Sequence, residues 1–402
     1  MTSISFALLL LIGPFLAFAI KGLSALLSLA GLAALISLLV QRKWPEKQAW
    51  RRFLWPLALL AWMIASVSWS AHPDALETLL KLLPALVFYA ALSFQFGQFE
   101  ADDKARWRKR YGLSLMAGVL VALALGPWPF YAPGLEHAMR DILEIPRQVN
   151  RSIGIIAVLI FSLIAYLKPH YPRQSMVLLA ATVVVAMLSQ SQSAALSIII
   201  GLLAVGLAHI SVALCRRLIL LSFAASLVLA VPLATTAFEQ NWTQKYAPEV
   251  VKKSAAPTIR SWIYYVYAQE IKQRPLIGHG LQSAKGFSPN GMDDYVQQGL
   301  DNDVPKMFIK SLKKPATIAA HAHSLFLQIL FELGVIGAIL AFMALRQLLP
   351  KTESHISKWV LGTWAAGLGT TMFSYHLWQS WLIAALLLAA LTRQILLDKD
   401  AA

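Results

Sequence analysis

The sequence predicts an all-α, polytopic membrane protein, and its composition is the first observation that predicts this class. Of the 402 residues, 58% are hydrophobic and only 14% are charged, with a mean hydropathy of +0.60. Soluble domains carry about a quarter charged residues, so these charges are too few to cover a water-facing surface. Open sheet edges leave backbone groups unpaired in lipid, which favours helices as the spanning elements.

The second observation is a series of about twelve apolar runs, each close to the length that crosses a bilayer as a helix. The runs lie near residues 4–20, 22–40, 53–69, 79–97, 112–130, 152–167, 175–188, 194–213, 218–237, 324–346, 358–375 and 377–395. No basic residue precedes the first run and no suitable Ala-x-Ala cleavage site follows it. We therefore expect a retained span and not a signal peptide.

The third observation is the charge of the short loops, which sets the predicted orientation. The loops near 41–52 and 104–110 are rich in Lys and Arg, which favours the cytoplasmic side. The loop at 70–77 between them is acidic and suits the outer side. Both termini are thus predicted to be cytoplasmic. The net charge of +15 is assigned to inner anchoring and a basic outer surface, and no nucleic-acid partner is expected.

One long outer loop, 238–322, is predicted between the ninth and tenth spans, so that the chain divides into 1–237, 238–322 and 323–402. Residues 257–272 predict an amphipathic helix whose Trp and Tyr rings favour the membrane interface. The helix is expected to end before Pro275, and Gly278 and Gly280 indicate a tight turn beyond it. The loop is too small for a core of its own, so it should pack on the membrane and the helices.

A polar stripe opens the tenth span. At 100° per residue, four polar residues share an arc of about 80°: His321, Ser324, Gln328 and Glu332. Such side chains normally face the bundle interior or a wet cavity, so the stripe is expected to line a site, with an interhelical hydrogen-bond seam as the alternative. Gly334 and Gly337, three residues apart, would let another helix approach closely.

The sequence predicts neither a metal site nor a bound cofactor. The single cysteine, Cys215, excludes an intramolecular disulfide, and no Cys, His and carboxylate cluster has metal spacing. His321 and His323 would point apart on a helix. A nucleotide-binding glycine loop and an esterase nucleophile elbow are also missing.

Chemistry on the outer face needs a substrate that arrives activated, because cytoplasmic nucleotides are absent there, and lipid-linked pyrophosphates fit that need. Arg147, Arg151 and Arg260 are the candidates for binding an anionic leaving group through forked hydrogen bonds. Taken singly, each could equally be a solvated side chain or a contact to lipid phosphates. His323 is the candidate general base near neutral pH. Its alternative role is a structural hydrogen bond at the interface.

These residues resemble a known family. His323-Ser324 followed after nine residues by Gly334-Val-Ile-Gly337 resembles the signature of the bacterial O-antigen ligases. Arg260-x-Trp262 followed by Pro275-Leu-Ile-Gly278-x-Gly280 is similar to the loop pattern of the wider ligase and polymerase superfamily. With the spans and the outer loop, the resemblance covers most of the chain.

The resemblance implies an inverting, metal-independent glycosyltransferase with the C-type membrane fold. Such an enzyme moves O-antigen polysaccharide from undecaprenyl pyrophosphate to lipid A–core on the periplasmic face of the bacterial inner membrane. His323 becomes the base that deprotonates the acceptor hydroxyl, while Arg260 and an arginine before the sixth span bind the pyrophosphate. Gln192 departs from the family, which often has an arginine there, so Arg147 or Arg151 would carry more of the binding.

Three alternatives stay open on the sequence. An O-antigen polymerase uses the same donor but commonly has two large outer loops. A protein O-oligosaccharyltransferase usually continues into a longer soluble part. A transporter, from another class, would distribute charges through its core and break helices near the midplane.

Overall fold

The computed structural model describes residues 2–18, 22–42, 53–125, 145–189, 191–246, 256–285, 287–305, 308–309, 322–373 and 377–397. Throughout these ranges the ordered elements are helices, with no strand among them. In chain order they are α1 (Thr2–Leu9), α2 (Ile12–Phe18), α3 (Leu23–Gln41), α4 (Leu54–Ser66, followed by a 3-10 turn at Val67–Trp69), α5 (Ala75–Gly97), α6 (Ala101–Leu125), α7 (Ile145–Leu167), α8 (Pro172–Leu188), α9 (Gln192–Ile210), α10 (Val212–Glu239), α11 (Trp242–Tyr246), α12 (Ala256–Gln273), α13 (Met292–Asp301), α14 (Leu325–Leu348), α15 (His355–Phe373) and α16 (Ser380–Leu397).

Six helices of the described chain are long and apolar enough to cross a membrane, by length and composition: α3, α5, α9, α10, α14 and α16. Each predicted apolar run coincides with a helix or, in the first run, with the pair α1 and α2. Large apolar side chains remain exposed on these helices, as at Leu203 (68%) and Val228 (74%). Lipid can cover such a surface where water would not, so the protein is a multi-pass membrane protein.

Serine residues set the start of three helices. The hydroxyls of Ser191, Ser211 and Ser324 accept hydrogen bonds from backbone N–H groups in the first turns of α9, α10 and α14. Each hydroxyl thereby satisfies one of the free donors at a helix N-terminus. The position of α14 is therefore fixed at Ser324, immediately after His323.

Helix α7 forms the centre of the bundle. Its residues from Ser152 to Ala165 are buried, and it packs against α6, α8, α9, α15 and α16. A second cluster joins α10, α12 and α14. The described part of the loop 238–322 thus shares a core with the membrane helices, as the sequence predicted.

The amphipathic helix expected at 257–272 is α12, which ends two residues before Pro275. Its rings do not lie at an interface as expected. Trp262 and Tyr267 are fully buried, and their polar atoms donate to Tyr295 O (2.9 Å) and Ala284 O (2.7 Å). The rings are buried because later parts of the loop fold over α12 and accept these hydrogen bonds, which sequence periodicity does not reveal.

Candidate active site

His323 lies directly before α14 and is partly buried. Its φ of +51° places it in the left-handed region, which is uncommon for a residue other than glycine. The Tyr264 hydroxyl donates a hydrogen bond to His323 O (3.0 Å), and Ser324 caps the helix that follows. These two contacts fix the backbone from which the imidazole projects. His321 lies outside the described residues.

Arg260 is one turn before Tyr264 on α12, so the two side chains share a face of that helix. Burial raises the pKa of Tyr264, and the nearby Arg260 charge partly opposes that rise. The structure therefore brings Arg260 and His323 to one neighbourhood, with Tyr264 between them. Tyr264 was not identified from the sequence, because its one signal is its spacing from Arg260.

Arg151 points toward the last helix. Its guanidinium carbon lies 5.6 Å from the centre of the Trp381 ring, which is a cation–π contact. Among the described residues, its buried Nη1 has no hydrogen-bond partner. Arg147 precedes it by one turn on α7, but its side chain is outside the described set. Gln192, the position where the family often has arginine, is exposed at the start of α9.

Glu332 is fully buried and joins three parts of the chain. Its carboxylate accepts hydrogen bonds from the backbone N–H groups of Gln282 (3.1 Å) and Ala284 (3.3 Å) in the outer loop. It also accepts from Trp378 Nε1, in the connection between α15 and α16, and from Gln328 Nε2 (3.1 Å) on its own helix. A buried carboxylate needs such partners, and here they hold the loop against the membrane helices.

Gln328 extends this network, since its Oε1 accepts from Leu377 N (3.1 Å). The stretch 377–381 therefore contacts α14 through Leu377 and Trp378, and α7 through the Arg151–Trp381 contact. Of the predicted polar stripe, Gln328 and Glu332 form one buried network, while Ser324 serves as the cap. Gln328 and Glu332 thus face the interior, and their partners are the loop 280–284 and the α15–α16 connection.

Helix α14 is broken at Gly334, where φ is +66° and ψ is −168°. The outer loop supplies the hydrogen bonds that the break removes. His279 N donates to Phe331 O (2.7 Å) and Gly280 N to Glu332 O (2.9 Å). On the other side of the break, Val335 N and Ile336 N donate to Pro275 O (2.8 Å) and Leu276 O (3.2 Å).

The side chains at this junction complete the contact. Trp62 Nε1 on α4 donates to Leu333 O (2.9 Å). The His279 ring stacks on Phe331, with centroids 4.4 Å apart, and burial lowers the pKa of that imidazole. The Gly278-His279-Gly280 turn, which the sequence indicated only as a tight backbone, is thus one of the parts of the loop that dock on α14.

Gly334 and Gly337 were predicted to let another helix approach α14 closely. That prediction was wrong, because no other helix makes the nearest contact at either glycine. A Cβ at Gly334 would lie 2.3 Å from Leu276 O, so the close approach is made by the loop. A Cβ at Gly337 would meet Leu333 of the same helix at 2.2 Å. The reason is the break itself, which changes the direction of α14 and opens its backbone to the loop.

The described residues hold no group of three or more His, Cys, Asp or Glu side chains suited to a metal ion. Arg260, His323 and the Tyr264 hydroxyl are the polar groups that the structure brings together near the start of α14. The fold and site define a multi-pass helical membrane protein in which the loop between α10 and α14 docks beside a histidine at the start of α14.

Comparison with known proteins agrees with the resemblance over part of the chain. Residues 175–342 match the family model described as O-antigen ligase, which confirms the resemblance seen in the sequence motifs. That region contains Arg260, His323 and Gly334, whereas Arg147 and Arg151 precede it.

Relatives from two rickettsial species support the same family at low identity. A Rickettsia prowazekii protein named as a putative polysaccharide ligase is 23% identical over 353 residues, covering 86% of this chain and 80% of its own. One of the same description from Rickettsia conorii is 23% identical over 318 residues, covering 75% and 71%. No solved structure matches the chain.

Proposed function

We propose that this protein is an O-antigen ligase that transfers O-antigen polysaccharide from undecaprenyl pyrophosphate to lipid A–core. The observation that supports it most is the placement of Arg260 and His323 around Tyr264, within the region that matches the family model. A cation for the leaving group and a base for the acceptor are what such a transfer requires.

In the proposed reaction, the acceptor hydroxyl attacks the anomeric carbon of the donor glycan from the face opposite the pyrophosphate. His323 takes the hydroxyl proton as the new C–O bond forms, and the bond to the pyrophosphate oxygen breaks with inversion. The pyrophosphate leaves as an anion that Arg260 and Arg151 or Arg147 bind with forked hydrogen bonds. No step needs a metal or another cofactor.

We also propose the topology that this reaction needs. The protein has about twelve spans in a C-type glycosyltransferase fold in the bacterial inner membrane, with cytoplasmic termini and a periplasmic loop 238–322. The loop contacts both α14 and the α4–α5 connection. These contacts support a topology in which all three lie at the same end of the bundle as the proposed site. In a Cys215→Ala background, Asp303→Cys should react with an impermeant maleimide from the periplasm, and Arg217→Cys only after permeabilisation.

The function is tested with purified protein, undecaprenyl-pyrophosphate glycan and lipid A–core, in EDTA and without nucleotide. The parent should make glycan-bearing lipid A–core and His323→Ala should not. The matched control is His170→Ala, since His170 is an exposed histidine beyond the far end of α7.

Other products would favour the other functions. Lengthened lipid-linked glycan without a conjugate would mean that the protein is the polymerase. If neither product forms, the ligase proposal fails, and glycolipid uptake into vesicles then tests for a transporter.

A further inference from the structure

A groove of about 730 Å³ lies between α3, α5 and α16, and Gln282 and Trp378 of the Glu332 network line one part of it. Its walls are largely apolar and include Leu80, Pro84, Phe88, Leu387 and Leu391. Leu80 is 60% exposed, so the groove is open to the surroundings of the bundle. Within a membrane, an apolar groove open at the side suits a hydrocarbon chain.

One end of the groove is polar. Lys81 pairs with Glu77, and Lys285 of the outer loop pairs with Asp74 (2.5 Å). All four of these residues line the groove; the Lys81–Glu77 pair is largely exposed and the Lys285–Asp74 pair is partly exposed. Exposed pairs contribute little stability, and an ammonium group has three donors, so each lysine can bind a phosphate while it keeps its carboxylate.

Gln282 adds a buried acceptor at the same end. It is only 6% exposed and has a φ of +67°, and it is one of the residues that line the groove. Within the described chain, its Oε1 has no hydrogen-bond partner. A buried amide oxygen without a donor is costly, so this atom indicates a ligand that supplies a hydroxyl or N–H group.

The groove is separate from the arginine site. Ser380, Ile383 and Leu387 of α16 line it, whereas Trp381, which contacts Arg151, is not among the lining residues. The two sites are nevertheless connected, because Gln282 N and Trp378 Nε1 both donate to Glu332, nine residues after His323. A head group at the polar end would thus sit beside the element that carries the proposed base.

We propose that this groove binds the acceptor glycolipid, with an acyl chain between α5 and α16 and its phosphorylated sugar head group at Lys81, Lys285 and Gln282. The proposal rests on the proposed function, which requires two lipid substrates. Charge decides between them: two lysines beside two carboxylates have no net charge, which suits a head group with both hydroxyls and phosphates. A pyrophosphate carries its charge on two adjacent phosphates, which forked guanidinium groups match better than two separate ammonium groups do, so the arginines suit the donor.

The test compares two tryptophan substitutions on α5 in the full chain in nanodiscs. Ala85→Trp fills the groove, whereas Val87→Trp is the control, because Val87 is 48% exposed and does not line the groove. Displacing about two buried methylene groups of the acyl chain should raise the KM for the acceptor about tenfold. The donor KM and the kcat at saturating acceptor should stay at the parent values. A raised donor KM, or unchanged constants, would overturn the proposal.

Two further measurements keep the test decisive if Ala85→Trp does not fold. Gln282→Leu removes the amide acceptor and should raise the acceptor KM alone. An acceptor with a photoreactive acyl chain should crosslink to α5 and α16 in the parent protein, and crosslinks on other helices would refute the groove. If crosslinks map to the groove but the parent makes no conjugate, the ligase proposal fails and the binding site stands.

Discussion

The break at Gly334 permits a direct test of how the outer loop is held against α14. Its φ of +66° and ψ of −168° fall in a region that is essentially restricted to glycine. A Cβ there would lie 2.3 Å from Leu276 O and 2.7 Å from Gly278 N. Both are backbone atoms, which cannot rotate away as a side chain could. We therefore expect Gly334→Ala to detach the loop 275–280 from the helix.

The magnitude follows from the strain and from the hydrogen bonds at the break. A non-glycine residue in such a conformation costs about 1–3 kcal/mol. Four backbone hydrogen bonds join the loop to α14 on the two sides of the break, and each contributes about 1 kcal/mol net. A loss of about 5–7 kcal/mol is large against a usual stability of about 5–15 kcal/mol.

Hydrogen–deuterium exchange on the full chain in nanodiscs measures this loss locally. In Gly334→Ala the amides of His279, Gly280, Val335 and Ile336 should exchange at least about 100-fold faster than in the parent. The control is Gly206→Ala, because a Cβ at Gly206 has nothing within 4 Å. Parent-like protection of the four amides in Gly334→Ala would show that the break does not hold the loop.

The other predictions concern the base, the cation, the buried carboxylate and a pH effect. His323→Ala should lower the rate of transfer, measured in a single turnover, about 10²–10⁴-fold while the protein stays inserted and folded. A rate equal to that of the parent protein would exclude the base role. Arg260→Lys should lose about tenfold in kcat/KM, because a point charge replaces a fork, and an unchanged value would move the leaving-group role elsewhere. Glu332→Ala should lower the free energy of unfolding, followed by thermal melting, by about 3–5 kcal/mol because it leaves buried donors unpaired. Glu332→Gln keeps two acceptor sites, so its free energy of unfolding should fall by less. Burial lowers the pKa of His279 in the docked loop, so the undocked loop binds more protons at a pH just below the ordinary value of about 6.5. Docking is therefore complete above about pH 6.5 and weakens as the pH falls. Amide exchange at 279–284 should become faster at the lower pH in the parent protein and not in His279→Gln.

The helices and their order could be predicted from the sequence, because apolar runs and basic loops depend on local composition. Ser324 was assigned to the polar stripe, although a serine before a long apolar run also marks an N-cap, which is the role the structure gives it. The position of α12 and its end before Pro275 were predictable because they too depend on local composition. The burial of Trp262 and Tyr267 was not, since it depends on acceptors at Tyr295 and Ala284.

By itself, the sequence determined an all-helical membrane protein with His323 at the start of a helix and with Arg147, Arg151 and Arg260 as candidates for binding an anionic group. The spacing of apolar and polar residues and the residue types themselves are properties of the chain alone, so they could be recognised without coordinates. Only the tertiary structure decided that Gly334 breaks α14 and that loop residues 275–280 replace the lost hydrogen bonds. It also decided that Glu332 joins the loop to the α15–α16 connection, through partners about 50 residues away on either side. Such pairings depend on where distant backbone groups meet, and no local pattern encodes that position.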